Sequence, residues 1–280
     1  PASAESATSA YLDYAAATPL DPEVLEAMTP YLAGRFYNPS APYALARSVR
    51  ADVEAARATV ARCIGARPGN VTFTAGATEA NNLAFAATDG HVVTDAIEHE
   101  SVLACAEARS HAIVGVGPDG RVDPEDVLSA VTPATQLVSV SLANGEIGCV
   151  QPVRELARMM AQLREARLAA GDLTPLYLHV DASQAASCLT VDVGSLGCDL
   201  LTLSAAKIGG PKQVGLLWAS DDVVLRPLVL GGGQEGGLRS GTEATAQIAG
   251  FSKAVELRCD GLAEKLRHME LLKAYAVERL

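Results

Sequence analysis

The feature that most constrains the fold of this chain is a series of short β-type runs separated by longer stretches of helical pattern. Several runs are nearly continuous in apolar residues, which is typical of strands in a sheet that helices cover on both faces. Intervening segments such as residues 153–170 carry apolar residues at helical spacing, which predicts helices that cover the faces of the sheet. The pattern predicts an α/β fold with a mainly parallel sheet. The runs are VTFT at 71–74, HVVT at 91–94, AIVGV at 112–116, LVSVSL at 137–142, LYLHV at 176–180, DLLTL at 199–203 and VGLLWA at 214–219.

Composition limits the class of partner. The 280 residues are 49% hydrophobic, enough for one substantial core, and only 4% aromatic, so aliphatic side chains must fill that core. The net charge of −11 leaves no broad basic surface for a nucleic acid. No apolar run reaches the roughly 18 residues of a membrane span, and residues 1–10 lack the pattern of a signal peptide. We expect a cytoplasmic protein with a small-molecule substrate, and neither a nucleic acid nor a membrane as partner.

The six cysteines are scattered along the chain. They form no CxxC pair, which argues against both a zinc site and a disulfide framework. We therefore expect reduced thiols and no metal. These residues are Cys63, Cys105, Cys149, Cys188, Cys198 and Cys259.

The domain organisation predicted from the sequence is simple. Without an internal repeat or a low-complexity linker, the chain divides into an N-terminal arm at 1–15, a main domain at 16–255 and a helix at 256–280. We expect the small, polar residues 1–10 to be disordered. The helical pattern at 247–280 stops with neither a glycine cap nor a terminal turn. We therefore expect a further part of the protein to follow Leu280.

Three short segments carry candidate chemistry, and the first is residues 76–82, GATEANN, which follows the strand at 71–74. Free amides at a helix start, with the Thr78 hydroxyl beside them, form an anion site suited to a phosphate. An N-cap by Thr78 without any ligand is the alternative. The segment alone leaves both interpretations open.

The second segment, HVDASQ at 179–184, places Asp181 at the exit of a buried strand, the edge at which α/β sheets usually bind ligands. A carboxylate there could pair with a protonated ring nitrogen and keep a cofactor electron-withdrawing. Asp181 and Gln184 also have the spacing of a capping box, so a structural role stays equally open.

The third segment runs from the strand at 199–203 through Ser204 to Lys207. A lysine amine at this strand end could form a Schiff base once it loses its proton, and partial desolvation would help by lowering its pKa. Most lysines are merely solvated, and Lys212 competes for the role.

Together, the phosphate cradle, the carboxylate and the amine follow successive strands in that order. The chain thereby resembles the class V aminotransferases, a group of fold type I enzymes that use pyridoxal 5'-phosphate (PLP), and within it the cysteine desulfurases. The likeness covers nearly the whole chain. It runs through residues 11–16, 38–40, 76–82, 98–99, 146–148, 181–184, 207, 231–235 and 239–242.

The resemblance implies a role for each candidate residue. Lys207 would bind PLP, His99 would stack on the ring and move protons, Asp181 would pair with the pyridine nitrogen, and Gln184 would lie near the ring hydroxyl. A metal site at His99, between two glutamates, is the weaker alternative. The resemblance also implies a homodimer with shared sites. The phosphate would be held by Ala77, Thr78 and Ser204, with Thr242 reaching it from the second subunit.

Four positions depart from the desulfurase pattern, in which each usually has a larger or different side chain. Ala206 replaces a histidine before the lysine, and Gly145 replaces an asparagine, although Asn144 is adjacent. Ala17 stands for a threonine and Tyr43 for a histidine. The resemblance implies that the helix at 256–280 leads toward a small C-terminal domain that is absent from this chain. In the family, a mobile loop of that domain carries the cysteine that attacks substrate sulfur, and none of the six cysteines here lies in such a loop motif.

The glycine-rich residues 231–236 match G-x-G-x-x-G, but no apolar helix follows and the segment lies late in the chain. We interpret the match to a dinucleotide-binding motif as chance.

The leading functional hypothesis is a PLP-dependent removal of sulfur from L-cysteine, giving L-alanine and a persulfide for an acceptor protein in iron-sulfur cluster or other thio-cofactor synthesis. One alternative is a PLP-dependent lyase or aminotransferase for another amino acid. The other is a degenerate PLP-fold subunit without autonomous catalysis.

Overall fold

A seven-stranded sheet forms the centre of the molecule, which we describe from a computed structural model covering residues 10–280. The strand order is β1-β7-β6-β5-β4-β2-β3, and β7 alone runs antiparallel to both of its neighbours. The sequence-based prediction of an α/β fold with a mainly parallel sheet is confirmed. The strands are β1 (Val71–Thr74), β2 (His91–Asp95), β3 (His111–Val114), β4 (Thr135–Ser141), β5 (Tyr177–Asp181), β6 (Leu200–Ser204) and β7 (Gly215–Ala219).

Helices cover both faces of the sheet, as the apolar strands require. Side chains that alternate along β6 enter two separate cores: Leu200 packs with the helices on one face, and Leu201 and Leu203 pack on the other. The smaller core is closed by α3 and α4, and the larger one by the remaining helices. The helices are α1 (Pro22–Leu32), α2 (Ala44–Cys63), α3 (Ala77–Phe85), α4 (Glu100–Glu107), α5 (Pro124–Ser129), α6 (Val153–Ala169), α7 (Val193–Leu196) and α8 (Thr245–Arg279).

The topology brings distant parts of the chain to one edge of the sheet. β1, β2, β4, β5 and β6 run in the same direction, so their carboxyl ends lie along this edge. The residues that follow these strands include all three segments in which the sequence predicted chemistry. A binding site at this edge is what the general rule for α/β sheets predicts.

The long helix α8 starts in the core and continues into solvent. Its buried side chains end at Val255, and most side chains after Arg258 are exposed. The predicted division at residue 255 stays a prediction. Residues 1–9, most of the segment expected to be disordered, lie outside the described residues. No helix within residues 10–280 is long and apolar enough to cross a membrane.

The glycine-rich loop at 231–237 owes its composition to backbone geometry. Gly233, Gly236 and Gly237 have φ angles of 81°, 64° and 86°, a left-handed region that other residues rarely adopt. Glu235 shares this conformation with a φ of 50° and is held by its side chain. These glycines therefore need no bound dinucleotide to explain them.

Candidate active site

A cavity of about 770 Å³ opens at the carboxyl edge of the sheet. Its walls come from the segments that follow five different strands, so residues far apart in sequence face one space. Of the predicted site residues, all but Thr242 line it: Ala77, Thr78, His99, Asp181, Gln184, Ser204 and Lys207.

One end of the cavity is the start of α3. Gly76, with a φ of 116°, caps this helix, while Thr78 lies inside its first turn. The N-cap by Thr78 considered from the sequence is therefore not formed. The first i to i−4 bond joins Ala80 N to Gly76 O at 3.1 Å, so the amides of Ala77 and Thr78 precede the helical hydrogen bonds. These amides provide a site for an anion.

Lys207 lies in the single helical turn that follows β6. Its Nζ donates to Ala15 O and Ala16 O, both at 2.7 Å, so the segment near the N-terminus lies against the amine. Burial lowers the pKa of Lys207, although the carboxylates of Asp13 and Asp181 act in the opposite direction. The competing Lys212 donates to Thr18 O at 2.9 Å.

Asp181 is buried at the end of β5 with both carboxylate oxygens paired. Oδ1 accepts from Ser183 N at 2.9 Å, and Oδ2 accepts from Asn81 Nδ2 at 2.8 Å. Gln184 instead donates through Nε2 to Ala15 O at 2.9 Å. The capping box that the sequence left open is therefore not formed, and the carboxylate is fixed in direction.

His99 caps the N-terminus of α4. Its Nδ1 accepts from Ser101 N at 3.0 Å and lies 2.8 Å from Ser101 Oγ, and this hydroxyl accepts from Asn81 Nδ2 at 2.9 Å. Asn81 and Ser101 were not among the predicted site residues. A signal did exist, because Asn81 lies one turn beyond Thr78 in the first motif and Ser101 follows His99 at the spacing of a cap.

Two further buried acids, Asp95 and Glu98, lie at and just after the end of β2. Glu98 is only 6% exposed, and no side chain of the described residues pairs with its carboxylate. Burial, and then the charges of Asp95 and Asp181, raise the pKa of Glu98 well above its ordinary value. Burial likewise raises the pKa of Asp95 to about 6. The raised pKa favours the protonated form of Glu98 beside Asp181.

The positions that depart from the desulfurase pattern have structural consequences here. A Cβ at Gly145 would lie 2.5 Å from Gln184 Cδ, so a larger residue would require Gln184 to move. Asn144 donates through Nδ2 to Ile97 O at 2.9 Å and accepts from Glu146 N through Oδ1. The Asn144 side chain thus stabilises the turn at residues 144–146. Ala206 lines the cavity, Ala17 O accepts from the Tyr11 hydroxyl at 3.2 Å, and Tyr43 is the exposed residue before α2.

Thr242 is exposed on the loop before α8 and does not line the cavity formed by the described residues of its own chain. Within residues 10–280, no group of three or more His, Cys, Asp or Glu side chains could hold a metal ion. All six cysteines are free thiols.

Comparisons with known proteins agree with this geometry. The family model for class-V aminotransferases matches residues 10–280. The chain is 37% identical to cysteine desulfurase IscS of Dictyoglomus turgidum, covering 96% of this chain and 69% of that protein. It is also 37% identical to selenocysteine lyase of Homo sapiens, covering 96% of this chain and 68% of that protein. A solved NifS-like protein superposes with a TM-score of 0.89 at 32% identity, covering 97% of this chain and 75% of the other.

The chain therefore belongs to the class-V aminotransferases, a family of PLP-dependent enzymes, as the sequence resemblance implied.

The residues of the cavity fit PLP. An anion site, a lysine amine and a fixed carboxylate match the cofactor's phosphate, aldehyde and ring nitrogen in kind. Two hydroxyls in the cavity wall, Ser141 Oγ and Ser183 Oγ, are buried without a hydrogen-bond partner, so polar groups there lack a neighbour that a bound ligand could provide.

Proposed function

We propose that this chain is a PLP-dependent, cysteine desulfurase-like enzyme that removes sulfur from L-cysteine. The C–S bond of the substrate breaks, and the sulfur passes to a thiolate, giving L-alanine and a persulfide. The persulfide then serves an acceptor protein in iron-sulfur cluster or other thio-cofactor synthesis. The observation that carries the proposal is the convergence of Lys207, Asp181 and the first turn of α3 on one cavity, in a chain similar to a cysteine desulfurase along 96% of its length.

Lys207 is proposed to bind the PLP aldehyde covalently. The amine must be unprotonated to attack a carbonyl carbon, and burial lowers its pKa toward that state. The carbonyls of Ala15 and Ala16 meanwhile orient Nζ within the cavity.

Asp181 and His99 are proposed to act at the ring. PLP, when bound, supplies an electron sink for negative charge at the substrate Cα. The fixed carboxylate of Asp181 would keep the ring nitrogen protonated, and Gln184 would lie near the ring hydroxyl. His99 would stack on the ring and move protons through Nε2, because its Nδ1 already accepts from Ser101.

The phosphate is assigned to Ala77, Thr78 and Ser204 in the same proposal. Thr242 would reach the phosphate of a second subunit in a homodimer, which is consistent with its exposure and its place outside the cavity of its own chain. The cofactor-binding domain at 16–255 and the cytoplasmic location are further parts of this proposal.

Borohydride trapping tests the cofactor linkage. Reduction of the PLP-loaded protein, followed by peptide mass mapping, is expected to place the label on Lys207. Lys207→Ala should take up no label, while Lys212→Ala, a change to the other lysine of the cavity, should still be labelled at Lys207. A label at any other residue would contradict the proposal.

The reaction itself is tested by incubating the PLP-loaded protein with L-cysteine and a thiol acceptor. Alanine and sulfide, released from the persulfide by a reductant, are expected in equal amounts. A protein that binds PLP but forms neither product does not catalyse autonomous desulfuration, and one that binds no PLP corresponds to the degenerate subunit.

A second substrate, L-selenocysteine, is favoured by one observation, the 37% identity to selenocysteine lyase. The two amino acids differ only in sulfur and selenium, so kcat/KM for each, measured on one preparation, decides between them. A profile in which other amino acids react as fast would instead indicate the lyase or aminotransferase alternative.

A further inference from the structure

Asn81 lies between the two side chains to which the proposed mechanism assigns the ring nitrogen and the proton transfer. It is fully buried on α3. Its Nδ2 donates one hydrogen to Asp181 Oδ2 at 2.8 Å and the other to Ser101 Oγ at 2.9 Å. A single amide group thus contacts Asp181 directly and His99 through one hydroxyl.

The direction of each hydrogen bond follows from the chemistry of the groups. A carboxylate only accepts, so the amide nitrogen and not the oxygen of Asn81 must face Asp181. Ser101 Oγ accepts from Asn81, which leaves its own hydrogen to donate to His99 Nδ1 at 2.8 Å. Because Ser101 N also donates to Nδ1, at 3.0 Å, neutral His99 carries its proton on Nε2.

The cost of burying Asn81 argues against a packing role. Its Oδ1 is buried without a hydrogen-bond partner, and such an orphaned acceptor is unfavourable. A leucine has the same branching and the same number of side-chain heavy atoms, and it would avoid that cost. The amide is therefore explained by the two hydrogen bonds that its nitrogen donates.

We propose that Asn81 is a positioning residue that fixes the carboxylate of Asp181 and, through Ser101, the ring of His99, so that both face the cofactor in one arrangement. This inference rests on the proposed function, which assigns Asp181 and His99 their roles. It adds that α3 supplies the phosphate amides at its first turn and the alignment of the ring partners one turn later.

We call the two hydrogen bonds that Asn81 donates the bridge, with one arm to Asp181 and the other through Ser101 to His99. Two measurements test these two arms separately. The affinity of the cofactor-free protein for PLP, from a titration, reports the Asp181 arm. The ¹⁵N resonances of the His99 ring, recorded on cofactor-free protein labelled at histidine and assigned with His99→Gln, report the other arm. The variants are Asn81→Leu, which removes both donors, and Asn81→Asp, which keeps the size but replaces the donor.

Two controls isolate the bridge. Ser101→Ala breaks only the His99 arm. Asn82→Asp makes the same chemical change one residue further along α3, at an exposed side chain that donates to Thr78 O. Thermal unfolding of each variant establishes that it is folded.

We expect both Asn81 variants to weaken PLP binding about tenfold, because a hydrogen bond to a charged group is lost. They should also shift the His99 Nδ1 resonance toward that of a free acceptor nitrogen. Ser101→Ala should shift Nδ1 while leaving PLP affinity within about twofold, and Asn82→Asp should change neither quantity.

Folded Asn81 variants that alter only one of the two quantities, or neither, overturn the bridge. The ¹⁵N resonances of His99 in the wild-type protein test the bridge even where no Asn81 variant folds. A proton on Nδ1 of His99 would contradict the hydrogen-bond directions outright. Failure of the proposed function is distinguishable: wild-type protein that binds no PLP refutes the function, whereas the His99 resonances still test the bridge.

Discussion

Outside the cavity, Glu235 of the glycine-rich loop is a buried carboxylate that accepts three hydrogen bonds. Its carboxylate accepts from Arg57 Nη1 at 2.7 Å and Nη2 at 2.9 Å, and also from Phe73 N at 2.8 Å. The side chains of Arg57 and Glu235 are 10% and 4% exposed, so water cannot replace either partner. This bidentate pair ties the loop to α2 and β1.

Replacing Glu235 by glutamine should destabilise the protein by about 3–5 kcal/mol, because it leaves the buried Arg57 charge without its main partner. The free energy of unfolding from a urea titration checks this. The matched control is Glu54→Gln, since Glu54 pairs with the same guanidinium but is 58% exposed. That change should cost at most about 1 kcal/mol. Equal losses in the two variants would show that burial does not govern this pair.

The buried Asp95 predicts how stability depends on pH. Its folded-state pKa of about 6 exceeds the ordinary value of 3.8, so the folded state holds the proton more tightly than the unfolded state does. Stability should therefore fall as pH rises from about 4 through about 6, by up to about 3 kcal/mol. Asp95→Asn should gain stability relative to wild type above about pH 6 and lose that advantage near pH 4.

Urea titrations across this pH range measure the effect, with Asp126→Asn as the control at an exposed acid. An advantage of Asp95→Asn that is the same at every pH would mean that ionisation of this carboxyl is not the cause.

At the level of elements, the sequence predicted all seven strands because continuous apolar runs mark buried parallel strands. It also predicted Lys207 and Asp181 at strand ends. Strand boundaries were less accurate: β4 begins at Thr135, two residues before its apolar run. The contacts of Gln184 and Lys207 with Ala15 could not be predicted, because they join residues 169 and 192 positions apart. Local sequence patterns contain no information on contacts between residues so far apart.

The packing of α2 against α8 brings two cysteines together. The Cys259 thiol lies 3.7 Å from Cys63 O, and a hydrogen bond with the Cys63 thiol, assisted by the charge of Arg258, lowers the pKa of Cys259 to about 7. Burial instead raises the pKa of Cys198 to about 12. Of Cys198 and Cys259, only Cys259 is then substantially ionised near neutral pH.

Cys259 should therefore react with iodoacetamide at about pH 7 far faster than Cys198, because the thiolate is the nucleophile. Cys63→Ala removes the hydrogen bond that stabilises this thiolate and should slow the alkylation of Cys259 about tenfold. Mass mapping of timed samples gives both rates. A rate unchanged in Cys63→Ala would mean that the neighbouring thiol does not set the reactivity.

At the scale of the whole molecule, the cavity is formed by segments from distant parts of the chain. Its walls combine residues after β1, β2, β4, β5 and β6, and Ala15 and Ala16 add the segment near the N-terminus through Lys207 and Gln184. A ligand that contacts these segments at once binds only the folded chain. Its binding energy must therefore appear as stability of the entire fold.

PLP should accordingly raise the Tm of the cofactor-free protein in proportion to the logarithm of its concentration. At a hundredfold excess over Kd the gain is about 2.7 kcal/mol, or about 5–10 °C for a chain of this size. Lys207→Ala should lose most of the shift because the covalent link is gone, whereas Lys212→Ala should largely keep it. Pyridoxal without its phosphate should give a smaller shift, since the amides at the start of α3 then bind no anion. Equal shifts with pyridoxal and PLP would exclude that helix terminus as the phosphate site, and the absence of any shift would mean that the folded chain does not bind the cofactor.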